Sequence, residues 1–375
     1  GYPVSYFVSN EWPPALPGVE GGKATLHTSN FLKIPASVQQ WRGEEGAAPF
    51  VVAVEPPVVD IAFHGNLGPD AINRRLWSSW GDIGIAQEGR VYCGIGDHGK
   101  DAEGDARCFI YCWDPESQTL KQVVDMNQVV PPKVGQPAWS KVHAKIDEGA
   151  DGKIYFNATL NAGSRAGDEQ YHWNDQLPGG QLYQYDPETG KTVVFASLPP
   201  KRCSATSLLD RERNIWWCNL EAGHGDALWG LDLGTRKPVF QTPDGTVAFN
   251  RNFMLTADGS ILFNGEGGVW KYDSPSKSLR KTDASFGDAP GMRASTRESR
   301  AGVIFGSTHK TNELFQYDVA RDKMTMFGPN WLTGQYTTVM ALSPDERFVY
   351  YLPGAHGKAF LHGTPVVQLD VATGR

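Results

Sequence analysis

The 375 residues carry a net charge of -7, with 42 glycines, 25 prolines and an aromatic content of 11%. No clustered excess of Lys and Arg is available to follow a phosphate backbone, which argues against a general nucleic-acid partner, and no apolar run approaches the roughly 18 residues of a membrane span. Five cysteines are too few for a disulfide scaffold, and their odd number leaves at least one unpaired within the chain.

Residues 1–76 show no repeat. Their Pro- and Gly-bearing run from Ala47 to Pro69 holds one candidate strand, Phe50 to Glu55, and the whole stretch reads as an N-terminal segment that covers or closes the main body, residues 77–375. From Trp77 onward one pattern recurs: strand, polar turn, strand, then an aromatic-Asp strand, a turn and a last strand. The second half appears as FIYCWDPESQTL from Phe109, QLYQYDPETGKTVVF from Gln181, LWGLDLGTRKPVF from Leu228, VWKYDSPSKSL from Val269, LFQYDVARDKMTMF from Leu314 and VVQLDVATGR from Val366. The first half begins at Gly84, in the 141–159 hairpin, and at Ser207, Met254, Ser299 and Ala341. Short strands in units of about 40–60 residues are the pattern of a β-propeller, so the expected fold is all-β, with six recognisable blades of four-stranded antiparallel sheet and room for a seventh. The last copy stops at Arg375, where a fourth strand should begin. The N-terminal segment or a further blade is expected to complete the ring.

The hairpin WSKVHAKIDEGADGKIYFNATLN reads as strands Lys141 to Asp147 and Lys153 to Thr159 around an Asp151-Gly152 turn. It differs from its siblings by His143. First strands of propeller blades line a central funnel, and stepping back about nine residues from each turn collects Trp80, His143, Ser204, Arg251, Arg293 and Tyr336 or Thr337. Two guanidiniums on one concavity suit a carboxylate or sulfate. An imidazole titrates near neutrality when unperturbed, which makes His143 the proton-transfer candidate, with Tyr336 as its counterpart and Trp80 as a platform for a sugar ring. His224, His309 and His356 sit in Gly-flanked or Thr-flanked loops that could reach the same ligand. Each has a plainer reading as well, since a strand Arg can tie blades together through a buried carboxylate and a Tyr can simply pack. Cys93, Asp97, His98, Cys108 and Cys112 fall in one blade and raise a structural zinc site, with buried free thiols as the alternative. Cys203 and Cys218, nearly opposite across one hairpin, could bond in an oxidising compartment.

The segments KVHAKIDEGADGKIYF, PGGQLYQYDPETGK, NRNFMLTADGSILF, MRASTRESRAGVIFGSTH and YYLPGAHGKAFLHGTPVVQLD resemble the β-propeller polysaccharide lyases, ulvan lyases in particular and oligogalacturonate lyases more distantly, over Trp77 to Arg375. The resemblance implies β-elimination at a uronate, with Arg251 and Arg293 neutralising the carboxylate and His143 with Tyr336 or a loop His exchanging protons. Ulvan lyases of this kind carry a second His soon after the first; here that region reads NATLNAGSRAG and the nearest histidine is His172. The expected function is therefore a secreted or periplasmic lyase for an anionic uronate polysaccharide or oligosaccharide, with Trp80, Ser204, His172, His224, His309 and His356 contacting substrate. The chemistry requires no cofactor, although a structural zinc or calcium ion is compatible with it. Two other classes remain: a non-catalytic propeller binding glycans or proteins, and a metal-dependent hydrolase of the lactonase type. The latter would need Glu, Asn and Asp at the channel mouth, where the aligned ring supplies Asn250 but no Glu.

Overall fold

In a computed structural model of the chain the described residues are 18, 20–34, 51–65, 83–97, 106–132, 138–158, 179–221, 225–329, 337–353 and 365–374. They form a two-stranded sheet and six antiparallel sheets in series, each sheet a simple meander. The first pair, β1 (Lys23–His27) and β2 (Val58–Ala62), stands alone. Blade 1 is β3 (Gly84–Ile85), β4 (Val91–Gly96), β5 (Cys108–Asp114) and β6 (Thr119–Asp125). Blade 2 is β7 (Asp147–Glu148), β8 (Ile154–Asn157), β9 (Gln181–Asp186) and β10 (Lys191–Ser197), and blade 3 is β11 (Ser207–Asp210), β12 (Ile215–Leu220), β13 (Ala227–Asp232) and β14 (Lys237–Gln241). Blade 4 is β15 (Met254–Leu255), β16 (Ile261–Gly265), β17 (Gly268–Asp273) and β18 (Ser278–Lys281). Blade 5 is β19 (Met292–Ser295), β20 (Val303–Thr308), β21 (Glu313–Asp318) and β22 (Lys323–Pro329), and the sixth sheet has three described strands, β23 (Thr337–Leu342), β24 (Phe348–Pro353) and β25 (Val367–Asp370). This is the β-propeller fold expected from the repeats.

The chain divides into two compact units, Gly1–His27 with Pro57–Asp244 and Thr28–Pro56 with Gly245–Arg375. Blades 1–3 belong to the first and blades 4–6 to the second. In each unit the apolar clusters are shared by consecutive blades, as face-to-face stacking of twisted sheets requires. Tyr92, Ile110 and Cys112 of blade 1 pack with Ile146, Phe156 and Tyr183 of blade 2. Tyr155, Leu182 and Phe195 of blade 2 pack with Leu209, Trp216 and Trp229 of blade 3. Adjacent residues Tyr155 and Phe156 thus serve opposite faces of one strand, and a middle strand buried on both faces reads as a continuous apolar run. Met254 and Leu262 meet Ile304 and Phe315 across blades 4 and 5, and Phe305 and Leu314 meet Met340 and Val349 across blades 5 and 6.

Polar links repeat with the same step. A carboxylate in one hairpin turn accepts a backbone N–H from the turn one blade earlier: Glu148 from Gln87 at 3.1 Å, Glu298 from Ala257 at 2.6 Å, and Glu346 from Arg300 at 2.8 Å.

The aromatic-Asp motif has a physical cause. In the turn after each third strand, the Asp carboxylate accepts backbone N–H groups two or three residues on: Asp114 from Glu116 and Ser117, Asp186 from Glu188 and Thr189, Asp232 from Thr235, Asp273 from Ser276, Asp318 from Arg321 and Asp370 from Thr373. All six carboxyls are held below their ordinary pKa. The backbone bond is the main cause at Asp114, Asp232, Asp318 and Asp370, and the Ser276 hydroxyl at Asp273; at Asp186 desolvation pushes upward and the Glu188 and Thr189 bonds outweigh it. Four residues after each Asp the chain adopts the left-handed conformation, with φ 50 at Gln118, 67 at Gly190, 57 at Arg236, 53 at Lys277, 53 at Asp322 and 68 at Gly374. Only two of the six are glycine.

Three sequence expectations change here. Residues 51–55 are not a strand, and Val51 and Val54 are almost fully exposed; the N-terminal strands are instead β1 and β2. That sheet is tied to blade 1 by Lys23 Nζ on the Gln118 carbonyl at 2.7 Å and by the His64 ring, 5.5 Å from that of Tyr111. The strand expected over 141–147 shrinks to β7, because residues 142–146 do not pair in a ladder. Cys203 and Cys218 are not cross-strand partners: Ser207 pairs with Cys218 and Cys203 bridges Glu221, and the two buried cysteines are not joined by a disulfide.

Two measurements test these turns. Gly190→Ala, whose new methyl meets nothing within 4 Å, loses about 1 kcal/mol in urea unfolding, whereas Lys277→Gly at the equivalent position gains up to about 1 kcal/mol. The six depressed carboxyls contribute stability that is complete above the unfolded-chain pKa of about 3.9 and disappears as pH falls through the lower folded values. Asp186→Asn therefore flattens the acid limb of stability below the unfolded-chain pKa of about 3.9 while keeping the turn, and an unchanged slope would contradict the assignment.

Candidate functional site

The first strands are where the repeat breaks its own rules. In blade 3 the Cys203–Glu221 bridge and the first pair of β11, Ser207 with Cys218, are separated by an unpaired stretch. In blade 4 the gap runs from the Val247–Gly265 bridge to Met254. In blade 5 the register shifts between Met292 and Ala294, and in blade 6 between Thr337 and Met340. The residues singled out from sequence fall at these breaks: Ser204 and Arg251 inside the two gaps, Arg293 at the bulge, and His143 in the irregular lead-in to β7. A bulge redirects side chains that strict alternation would send to one face or the other, which is why such irregularities accompany binding sites.

Breaking a ladder leaves backbone groups to satisfy, and buried ones must find partners. In the first unit most backbone groups of the 203–206 segment have defined partners. Cys203 exchanges both backbone bonds with Glu221. The Ser204 carbonyl accepts Asn157 Nδ2 at 2.8 Å, the Ala205 N–H donates to Glu221 Oε1 at 3.3 Å, and the Thr206 carbonyl accepts the Asn219 N–H at 2.9 Å and the Ser204 hydroxyl at 2.9 Å. The Ala205 carbonyl remains, and it lies 2.8 Å from His143 Nδ1. A carbonyl only accepts, so Nδ1 carries the hydrogen and Nε2 is the basic nitrogen of the neutral ring. His143 is 5% exposed, and Lys141 and the residues that bind the 203–206 segment, Asn157, Asn219 and Glu221, are equally buried. The path of residues 140–142 toward His143 depends on blade 1, where a Cβ on Gly96 would come within 1.9 Å of the Ser140 carbonyl oxygen.

In the second unit Asn250 takes the place of a backbone partner. Its Oδ1 accepts the Asn264 N–H at 2.8 Å, and its Nδ2 donates to the Asn264 carbonyl at 2.8 Å and the Ala248 carbonyl at 3.0 Å. Asn264 Nδ2 crosses to the next blade and meets the Pro290 carbonyl at 2.7 Å, while Asn252 Nδ2 meets Ser295 Oγ at 2.7 Å. These links set Arg251 beside the bulge: its N–H faces the Met292 carbonyl at 3.4 Å, one residue before Arg293. His309 joins the same group, its N–H on the Gly291 carbonyl at 2.8 Å and its ring 4.7 Å from that of Phe249.

Of the ten residues expected to act on or contact a ligand, His143 and Ser204 are brought together in the first unit, and Arg251, Arg293 and His309 in the second. Trp80, His172, His224, Tyr336 and His356 lie outside the described residues. Sequence reasoning named Asn250 but missed Asn157, Asn219, Asn252, Asn264 and Glu221. A signal was present, since IYFN, WWCN and ILFN put Asn157, Asn219 and Asn264 at one repeat position.

The described residues of the blade that raises a structural zinc site have the following partners. The Asp97 carboxylate is committed to Arg107, accepting its Nε at 2.7 Å, its Nη2 at 3.0 Å and its backbone N–H at 3.1 Å. Cys93 Sγ donates to the Gly94 carbonyl at 3.7 Å, and desolvation pushes the fully buried Cys108 thiol far above its ordinary pKa. His98 is outside the described residues. Among the described residues no three His, Cys, Asp or Glu side chains gather as metal ligands, and no helix is long and apolar enough to cross a membrane.

No protein-family model matches this chain, and no curated protein does. Among solved structures it is similar to TolB from Acinetobacter baumannii (13% identity, 70% of this chain and 57% of that one, TM-score 0.44). It is also similar to the extracellular domain of BT4673 from B. thetaiotaomicron (16% identity, 76% and 33%, TM-score 0.48) and to the Dos1 propeller (11% identity, 72% and 64%, TM-score 0.46). The chain spans between about a third and just under two thirds of the length of these structures.

Asn250→Ala tests whether side chains replace the missing ladder. It leaves the half-buried Asn264 N–H without its acceptor and the Asn264 and Ala248 carbonyls short of one donor each, and unfolding free energy falls by about 2 kcal/mol, against less than about 1 kcal/mol for an exposed residue such as Lys277.

Proposed function

We propose that this propeller is a lyase that cleaves a uronate-containing polysaccharide or oligosaccharide by β-elimination. The observation that carries the reading is the His143 imidazole, held through Nδ1 on the Ala205 carbonyl at 2.8 Å in a buried, polar break of a first strand. That bond leaves Nε2 as the nitrogen that takes up and releases a proton. In the reaction a base removes the proton at C5 of the uronate, and the electron pair is held by the carboxylate. It then forms the C4–C5 double bond as the C4–O4 bond breaks and O4 collects a proton. The C5 proton is too weakly acidic to leave unless the developing charge is stabilised, which is the task given to Arg251 and Arg293. Arg suits it because a planar, permanently charged fork meets a carboxylate with two bonds.

Support from the chain is of two kinds. Arg251 and Arg293 are neighbours through the Met292 carbonyl, on a break and a bulge of adjacent blades, and the resemblance to propeller lyases assigns those positions the same role. The substrate is a polymer, so a secreted or periplasmic location belongs to this reading.

Ultraviolet absorbance of the unsaturated product tests it directly. On a panel of ulvan, pectate, alginate and glycosaminoglycans at least one substrate gives a rising signal. His143→Ala abolishes that signal, and Arg293→Ala weakens substrate binding by about 2 kcal/mol or more, roughly 30-fold. A flat trace on every polymer overturns the lyase, and retained glycan binding with a flat trace favours a non-catalytic binding propeller.

A further inference from the structure

The bonds around the 203–206 segment converge on one peptide group, and that convergence carries an assignment of its own. The peptide between Ser204 and Ala205 is gripped at both ends by buried side chains. Asn157 Nδ2, from the last residue of β8 in blade 2, donates to its carbonyl at 2.8 Å. Glu221 Oε1, from the residue after β12 in blade 3, accepts its N–H at 3.3 Å. Asn157 is 2% exposed and Glu221 5%. The next carbonyl along the chain, that of Ala205, is the one on His143 Nδ1. Asn219 steadies the carboxylate from the other side, with Nδ2 3.4 Å from Glu221 Oε1 and 3.0 Å from Asp226 Oδ2.

We infer that Asn157 and Glu221 are positioning residues that fix the tautomer of His143 by clamping the Ser204–Ala205 peptide. The inference deepens the lyase reading, since it rests on His143 being the group that moves the proton. Neither residue touches the imidazole through the bonds described here. The Ala205 carbonyl belongs to the next peptide plane, so the two side chains act through the Ala205 Cα: the gripped plane fixes the frame from which that carbonyl is directed at Nδ1. Backbone bonds hold Cys203 to Glu221 and Thr206 to Asn219 on either side, and at the peptide between them the two side chains take the place of the ladder. The arrangement does for this imidazole what a carbonyl or carboxylate behind a metal-bound His does there: it selects the tautomer and sets the ring orientation. The alternative tautomer would place two acceptors, Nδ1 and the Ala205 oxygen, face to face in a buried site, which costs a hydrogen bond and leaves both without a donor. Asn157 heads the sequence NAT and so looks like a glycosylation acceptor, but its burial and its bond to the Ser204 carbonyl give the amide a different use.

The test reads the ring rather than the reaction. Long-range proton–nitrogen spectra of protein labelled with 15N-histidine, with His143 assigned by its loss in His143→Gln, report the protonation of each ring nitrogen. In the wild type, under conditions where the ring is neutral, Nδ1 is the protonated nitrogen and Nε2 the bare one. Asn157→Leu, which keeps the volume and removes the donor, and Glu221→Ala each move the two nitrogen shifts toward each other as the tautomers mix. Glu221→Gln keeps an acceptor oxygen and retains the wild-type pattern. In the same variants kcat for elimination falls about 10-fold or more with little change in KM, and Glu221→Gln restores most of it. A wild-type tautomer in both Asn157→Leu and Glu221→Ala overturns the clamp, and if one of the two does not fold the other decides. A protein without lyase activity still gives the nitrogen shifts, so loss of the functional reading and loss of the clamp are separate results.

Discussion

The constraint on which the rest of this structure depends is the unpaired stretch in the first strand of a blade. A propeller can stack its middle strands with apolar side chains on both faces, as Tyr155 and Phe156 do, but it cannot leave buried backbone N–H and C=O groups without partners. Where the first strand departs from its neighbour, side chains replace the ladder. Asn157, Asn219 and Glu221 do this around 203–206, and Asn250, Asn252 and Asn264 around 247–254. Because those replacements are specific bonds and not a uniform ladder, they can aim a particular residue: His143 in one unit, Arg251 and Arg293 in the other.

Much of the fold was legible in the sequence because its cause is local. The aromatic-Asp turn announces itself six times, and the Asp is required by the N–H groups that follow it, so the motif survives while the neighbouring residues change. The left-handed residue four positions later is less visible, since Gln118, Arg236, Lys277 and Asp322 adopt it without being glycine. The N-terminal strand was misplaced for the opposite reason. Residues 51–55 have the β-branched composition of a strand but no strand partner among the described residues, whereas Val58–Ala62 pairs with Lys23–His27.

The candidate site was legible in part. Counting back from the turns landed on the breaks of blades 2 to 5, because the gaps and bulge fall at nearly the same distance from each hairpin. It could not reach the residues that hold the site in shape. Glu221 stands one residue past a strand, and its role depends on the bridge to Cys203, a contact that no periodicity announces. The thiols show the same limit. Cys203 and Cys218 are close in a simple hairpin count, and the break between them shifts the register so that Cys218 pairs with Ser207.

The central claim is that the broken first strands hold chemistry and not merely packing. Titrating a uronate oligosaccharide too short to be cleaved, while following the ring nitrogens of His143, tests it most directly. The account predicts that the His143 signals move and saturate, and that a neutral oligosaccharide of the same length leaves them in place. Signals that stay still while the oligosaccharide binds elsewhere would contradict it.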